Sequence, residues 1–192
     1  MKTADELKRD IVFKARLRGR ELTFHSTWGL FSPRRVDDGS YMLVRHADVR
    51  DGDVTLDLGC GYGAIGLAVA AETPNGTVHL VDKDYVAVEY ARRNAERNGL
   101  TNCRAYLSNA FSEVGGVRFD NVLANLPAKV GRELLYVILS DARDHLKPGG
   151  QLVVVTVSGL REFIKRNFRD VFGNYEKLKQ GRHHTVARAL RE

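Results

Sequence analysis

From Val54 onward, short apolar bursts alternate with longer amphipathic stretches. Val54-Thr55-Leu56-Asp57-Leu58, Thr77-Val78-His79-Leu80-Val81, Cys103 to Leu107, Phe119 to Ala124 and Gln151 to Val157 run for five to seven residues each. They predict five strands, the first of them buried and the last rich in valine. Between them, Ala64 to Ala71, a stretch capped by Asp84 and stopped at Asn98-Gly99, and Gly131 to Leu146 follow helical spacing; the last ends at Lys147-Pro148-Gly149-Gly150. Gly159 to Val171 predicts one more helix, and Tyr175–Lys179 and His184–Leu190 two closing strands. This alternation predicts an α/β fold: a mostly parallel sheet with helices on both faces, ligands binding at the C-terminal strand ends where strand order reverses. Upstream, residues 11–24 alternate around Arg18-Gly19-Arg20 and predict two short strands joined by a glycine turn. Ser40 to Ala47, after Asp38-Gly39, predicts a short helix.

The 192 residues suit a single domain, read as an N-terminal extension over 1–38 and a core over 39–192. Hydrophobic residues at 43% and charged residues at 28% are a globular composition. No apolar run nears the roughly 20 residues of a membrane span, and Met1 to Asp10 lacks a signal-peptide core, so no membrane role is expected. Two cysteines, Cys60 and Cys103, exclude a disulfide scaffold or four-thiolate metal site and point to a reducing cytoplasm. Charge is uneven: residues 1–20 carry a net +4 and residues 161–192 a net +5, while residues 51–130 carry −3. Brought together, the two ends would form a basic rim suited to a polyanion such as RNA; apart, they would only aid solubility.

The densest chemistry lies in Asp57-Leu58-Gly59-Cys60-Gly61-Tyr62-Gly63-Ala64, which ends a strand and opens a helix. Glycines there allow a tight turn and close approach of a ligand. Gly61, Gly63 and Gly66 also spell the dinucleotide fingerprint. Two features favour S-adenosylmethionine instead. Asp57 precedes the first glycine, where it can meet a methionine ammonium but would repel a pyrophosphate, and no Lys or Arg lies between Asp57 and Ala71. Asp82, 19 residues beyond Gly63, ends the second strand and can accept both ribose hydroxyls of either cofactor.

The second constellation is Asn125-Leu126-Pro127-Ala128, after the fourth strand of the alternation. The side-chain oxygen of Asn125 and the carbonyl of Leu126, in a turn stiffened by Pro127, can converge on the two hydrogens of an exocyclic amino group. Catalysis would then be alignment and electrostatics, with no strong base required.

With these motifs in view, the chain resembles class I S-adenosylmethionine-dependent methyltransferases, and more narrowly the methyltransferase small family of ribosomal RNA guanine-N2 methyltransferases and single-domain archaeal relatives. The resemblance runs from Arg20 to Arg188. It includes Trp28-Gly29-Leu30-Phe31-Ser32, Val36-Asp37-Asp38-Gly39-Ser40, the glycine loop, Asp82, Asn94 to Leu100, Ser108-Asn109-Ala110 and the Asn-x-Pro turn. It implies a Rossmann-like sheet of seven strands with the last antiparallel. It also implies that Asp57, Gly59, Gly61 and Gly63 hold the methionine part of the cofactor, Asp82 with Lys83 the ribose, and Asn109 with Ala110 the adenine. Asp37, Gly39 and Ser40 would lie near the methyl donor, and Asn125, with Leu126 and Pro127, would be catalytic. The family pattern Asn-Pro-Pro-aromatic becomes Asn-Leu-Pro-Ala here. The carbonyl of Leu126 is kept, but Ala128 cannot stack on a base, leaving Trp28, Phe31 or Tyr136 as the platform, or an acceptor that is not a planar base.

The adjacent His183 and His184 would face opposite sides of a strand and make poor joint metal ligands, which points to a surface or edge role. With no H-E-x-x-H or paired C-x-x-C, no metal is expected. Arg34-Arg35 could grip a phosphate or simply be solvated. The leading expectation is methyl transfer to an exocyclic nitrogen of a base in RNA, ribosomal RNA first. The alternatives are a small-molecule methyltransferase and a noncatalytic cofactor-binding module of a ribonucleoprotein.

Overall fold

The computed structural model describes residues 3–127 and 130–192. A short helix α1 (Ala4–Lys8), opened by a capping box between Thr3 and Glu6, precedes the hairpin β1 (Ile11–Leu17) and β2 (Arg20–Ser26). At the hairpin turn both Arg18 and Gly19 have positive φ, 47° and 79°, as a two-residue turn between twisted strands requires. Then follow α2 (Asp38–His46), β3 (Val54–Leu58), α3 (Ala64–Glu72), β4 (Thr77–Asp82), α4 (Tyr85–Arg97) and β5 (Cys103–Leu107). The chain continues with β6 (Phe119–Asn125), α5 (Arg132–His145), β7 (Leu146–Val157), a 3-10 turn (Ser158–Leu160), α6 (Arg161–Phe172), β8 (Glu176–Gln180) and β9 (His184–Leu190).

Strands β3 to β9 form one sheet in the order β5-β4-β3-β6-β7-β9-β8, with β9 antiparallel to both its neighbours. The strand order reverses between β3 and β6, which pair in parallel from Thr55↔Asn121 to Leu58↔Ala124. This is the Rossmann-like seven-stranded arrangement that the resemblance implies, with the last strand antiparallel.

Period-two alternation sends each strand's side chains to two separate cores. Leu80, Leu123, Val153 and Val155 pack with α2, α3, α4 and the hairpin on one face. Val81, Val122, Ala124, Leu152 and Val154 pack with α5 and α6 on the other. Asp57, between Leu56 and Leu58, therefore faces the α3 side.

The hairpin is fastened to the core by two asparagines four residues apart on one face of α4. Asn98 accepts from Thr23 N (2.9 Å) and donates to Thr23 O (2.8 Å). Asn94, fully buried, does the same with His25 N (2.8 Å) and O (2.9 Å), completing the edge of β2 with side chains.

Several boundaries differ from the pattern: α2 starts at Asp38 rather than Ser40, because Asp37 is its cap, and β8 is shifted by one residue from Tyr175–Lys179. Residues 147–150, read as a helix stop, belong to β7, because Gly149 N bonds Arg191 O (2.7 Å), Arg191 N bonds Gly150 O (2.9 Å) and the Arg191 guanidinium bonds Leu146 O. The expected helix from Gly159 begins as the 3-10 turn and becomes α-helical only at Arg161. Among the described residues no helix is long and apolar enough to cross a membrane, and no three His, Cys, Asp or Glu side chains are grouped to hold a metal ion.

Candidate active site

At the C-terminal end of β3 the chain leaves the sheet through three left-handed glycines, Gly59, Gly61 and Gly63, with φ of 75°, 55° and 95°. Only glycine adopts this run without a steric cost of about 1–2 kcal/mol per residue. Gly59 N and Cys60 N both donate to Val81 O at 2.9 Å, and Gly61 N donates to Asp82 Oδ2 at 3.0 Å, which ties the loop to the end of β4. A Cβ placed on Gly59 or Gly61 would meet no atom within 4 Å, so open space lies over the loop. At Gly66 the reverse holds: a Cβ would run into Leu80 and stand 3.0 Å from Asp57 Oδ2. The third glycine of the fingerprint thus serves helix-on-strand packing; Gly61 borders the open cradle, whereas a Cβ on Gly63 would stand 3.1 Å from Leu67.

Asp57 is fully buried beneath α3; its Oδ2 accepts from Gly66 N at 2.7 Å, and its Oδ1 has no partner. Desolvation pushes its carboxyl up to about 7, against the pull of the Gly66 N–H and with the help of nearby Asp82. A buried carboxylate oxygen without a donor is costly unless a cation or bridging water reaches it. A methionine ammonium meets that need, so the residues present fit S-adenosylmethionine. Burial also pushes the Cys60 thiol up, which keeps it protonated and unsuited to nucleophilic chemistry.

The carboxylate of Asp82 accepts from Gly61 N and, through Oδ1, from Asp84 N at 3.0 Å. Each oxygen retains a lone pair for a ribose hydroxyl. Lys83 beside it is exposed. At the end of β5, adjacent to β4, Ser108 N bonds Asp82 O (2.9 Å), and Ser108 Oγ bonds Ala110 O (2.6 Å) and Glu113 N (3.1 Å). This turn holds Ala110 at a φ of 51°, and Asn109 is exposed beside it. Asp57, the glycine loop, Asp82, Asn109 and Ala110 therefore line consecutive strand ends on one side of the strand-order reversal.

On the other side, Asn125 ends β6. Its Nδ2 donates to Asp37 Oδ1 (3.2 Å) and Oδ2 (3.4 Å) and to Ser40 Oγ (3.0 Å). A carboxylate only accepts, so the amide must turn its NH2 toward Asp37, which leaves its Oδ1 as the acceptor for something else. Asp37 is also the N-cap of α2, accepting from Gly39 N (2.9 Å) and Ser40 N (3.1 Å). Gly39 is required by crowding: a Cβ there would lie 2.9 Å from Asp37 Oδ1 and 3.1 Å from His184 Cδ2. Leu126 N donates to Val155 O at 3.0 Å and its side chain is buried, while Pro127 is exposed. Ala128 lies outside the described residues.

Four features escaped the sequence reading. Tyr62 donates from its hydroxyl to Arg35 O (3.1 Å) and Ser32 O (3.4 Å), fastening the segment before α2 to the glycine loop. Asn94 Nδ2 reaches Tyr62 O at 2.9 Å, so the hairpin clamp also braces that loop. His184, read as a surface or edge residue, packs beside Gly39 at the rim of the site. Asp37 and Ser40 meet Asn125 directly. No spacing rule signals these contacts, which join separate elements.

Comparison with known proteins gives the same assignment of kind. Residues 21–188 match the family described as methyltransferase small domain. The chain is 40% identical over 144 residues to the uncharacterised YbxB of Bacillus subtilis, covering 73% of this chain and 71% of that protein. It is 34% identical over 165 residues to ribosomal RNA small subunit methyltransferase C of Haemophilus influenzae, covering 83% of this chain and 48% of that one. The T. thermophilus 16S rRNA N2 G1207 methyltransferase, solved with AdoMet and guanosine, superposes with a TM-score of 0.85 at 29% identity, over 94% of this chain and 50% of that one. The chain thus spans about half the length of the ribosomal RNA methyltransferases it matches.

Proposed function

Because the chain belongs to the methyltransferase small domain family, we propose that it transfers a methyl group from S-adenosylmethionine to an exocyclic amino nitrogen of a base in RNA, with ribosomal RNA as the substrate. The observation that carries this reading is the Asn125 amide, held by Asp37 and Ser40 so that its oxygen is presented as an acceptor. The T. thermophilus relative holds AdoMet and guanosine, the two ligands the reading requires. Two free cysteines suit a reducing cytoplasm, where ribosomal RNA is made and modified in bacteria and archaea.

S-adenosylmethionine supplies an electrophilic methyl group on a sulfonium. Asp57 and the loop Gly59–Gly63 would hold its methionine end, Asp82 and Lys83 its ribose, and Asn109 and Ala110 its adenine. Asp37, Gly39 and Ser40 would lie near the methyl donor, and Asp37 and Ser40 would act on the acceptor side through their contacts with Asn125. The lone pair of an exocyclic amino group is delocalised into its ring and nucleophilically weak. Asn125 Oδ1 and the Leu126 carbonyl, by accepting its two hydrogens, favour a pyramidal nitrogen and aim its lone pair. Because the Asn125 amide is already fixed, its dipole needs no reorganisation during reaction, the condition under which such groups contribute most. Pro127 stiffens the turn that carries the carbonyl.

The test is methyl transfer from labelled S-adenosylmethionine to a panel of unmodified ribosomal RNA, assembled subunits, transfer RNA and a small-molecule extract. Wild type should label one RNA species, and Asn125→Ala should lose about 10²-fold or more in rate while binding the cofactor normally. Label confined to the extract would make this a small-molecule enzyme. Cofactor binding with no label anywhere would favour a noncatalytic module.

A further inference from the structure

The two basic ends of the chain meet beside α2. A cavity of about 780 Å³ lies between the hairpin turn, the outer face of α2 and β8, and Arg16, Arg18, Arg45, His46 and Lys179 are among its lining residues. Helix α2 separates this cavity from the site. Gly39, Ser40 and Leu43 are buried inward, where Ser40 touches Asn125, while Asp38, Tyr41, Met42, Val44, Arg45 and His46 line the cavity. Asp38 and Tyr41 mark its end near the site, and Arg45 and His46 lie two turns away, so the groove runs about 13 Å along the nine-residue helix.

Its charges are not equivalent. Arg18 builds the wall: its guanidinium donates to Val44 O (2.6 Å) and Ala47 O (2.9 Å) and pairs with Glu72, so those two charges cancel. Asp38 has Arg35 3.8 Å away. Arg16, Arg45 and Lys179 are exposed, and none has an ion pair among the described residues; Arg16 stands opposite Glu21, which pairs with Lys14. Three cations from β1, α2 and β8 thus face one groove whose near end is Asp38, the residue after the α2 N-cap Asp37 that holds Asn125.

We propose that this groove is the track for the sugar-phosphate backbone of a single-stranded RNA, with Arg16, Arg45 and Lys179 contacting successive phosphates while a base of the same strand enters the Asn125 site. The proposal rests on the RNA reading above and names where the substrate docks. A single strand fits the groove because a base still stacked in a duplex would first have to be flipped out to present its amino group at the end of β6. Tyr41, 39% exposed at the groove end nearest the site, offers a ring to a neighbouring base or ribose.

The experiment is fluorescence anisotropy with a fluorescein-labelled, mixed-sequence 15-nucleotide RNA, titrated across salt. It compares wild type, a groove variant (Arg16→Gln, Arg45→Gln, Lys179→Gln) and a control on the opposite face (Arg143→Gln, Arg166→Gln, Arg169→Gln). S-adenosylmethionine binding is measured on all three to verify folding. The groove variant should bind RNA at least tenfold more weakly at low salt, and its slope of log affinity against log salt should be shallower by about 2, from three lost contacts at about 0.7 each. The control should match wild type. RNA binding by wild type with no change in the groove variant would overturn the groove and leave the methyl-transfer reading intact. So would poly-glutamate binding as tightly as RNA with the same loss in the variant, since the surface would then accept any polyanion. No RNA binding by wild type at low salt would overturn the groove outright. Loss of binding in the variant, without methylation of any RNA by wild type, would leave the groove standing and overturn the catalytic reading.

Discussion

Asp37 and Asn125 are 88 residues apart in the chain, yet both carboxylate oxygens of Asp37 lie within 3.4 Å of the Asn125 amide nitrogen. Through this contact the N-cap of α2 orients the side chain at the end of β6. The same carboxylate also holds Gly39 N and Ser40 N, so the geometry of a helix start and the aim of the acceptor are one structure.

Asp37→Asn removes the carboxylate that determines which end of the Asn125 amide faces inward, while keeping an N-cap side chain. The amide could then turn over and present its NH2 to the acceptor. The rate should fall tenfold or more with cofactor affinity within twofold of wild type, read by single-turnover methyl transfer and calorimetry. Unchanged turnover would remove Asp37 from the positioning of Asn125.

Asp57 gives the unliganded protein a pH dependence of definite sign. Its folded value of about 7 lies above the roughly 3.9 of an unfolded Asp, so the fold retains a proton that the unfolded chain has lost. Its contribution to stability is therefore largest below about pH 4 and falls as pH rises toward 7. A cationic ligand favours the carboxylate, so S-adenosylmethionine affinity should climb between pH 5.5 and 7 by at most about tenfold per unit. Calorimetry in buffers of different ionisation heat should show proton release over that range, absent in Asp57→Asn. Equal pH profiles for the two proteins would sink the link between Asp57 and the ligand.

The glycines of the loop separate by the same kind of test. Gly66→Ala forces a methyl group against Leu80 and Asp57, and overpacking of that kind costs about 1–3 kcal/mol. Gly61→Ala meets no neighbour and bears only the strain of a left-handed alanine, about 1–2 kcal/mol, but intrudes on the open cradle. Denaturant unfolding should show a loss in both. Only Gly61→Ala should lose cofactor affinity beyond what its stability explains.

The inner strands of the sheet are legible because they are buried on both faces and read as nearly unbroken apolar runs, so Val54–Leu58 is bounded as its residues predict; Cys103–Leu107 is also bounded as predicted, although it is a partly exposed outer strand. Asp84 was legible as a cap because its carboxylate acts locally, on Val86 N at 2.8 Å. The glycine loop declared itself through composition. What stayed hidden depends on long-range polar contacts. Asn98 reads as a helix stop, and nothing nearby in the chain shows that it also completes the edge of β2 at Thr23. His184 reads as an edge residue because its neighbour Gly39 lies in another element. Residues 147–150 look like a stop until Arg191 pairs with them.

If the acceptor is a planar base, the three candidate aromatics, Trp28, Phe31 and Tyr136, differ in position. Tyr136 lies on α5, on the face opposite α2, and donates to Asp170 of α6 at 3.2 Å, which directs it away from the site. Trp28 is 38% exposed beneath the Arg34 guanidinium, 4.7 Å from its ring centre. Phe31 is 69% exposed and precedes Ser32, whose carbonyl is held by Tyr62 of the glycine loop. An exposed ring on a fastened segment meets the need of a base that must stack outside its own helix. Such stacking contributes about 1–3 kcal/mol per base. Phe31→Ala should therefore raise KM for RNA by about 5- to 150-fold with cofactor affinity unchanged, and Tyr136→Ala should leave both where they are. A larger effect from Tyr136→Ala than from Phe31→Ala in steady-state methylation assays would reverse this choice of platform.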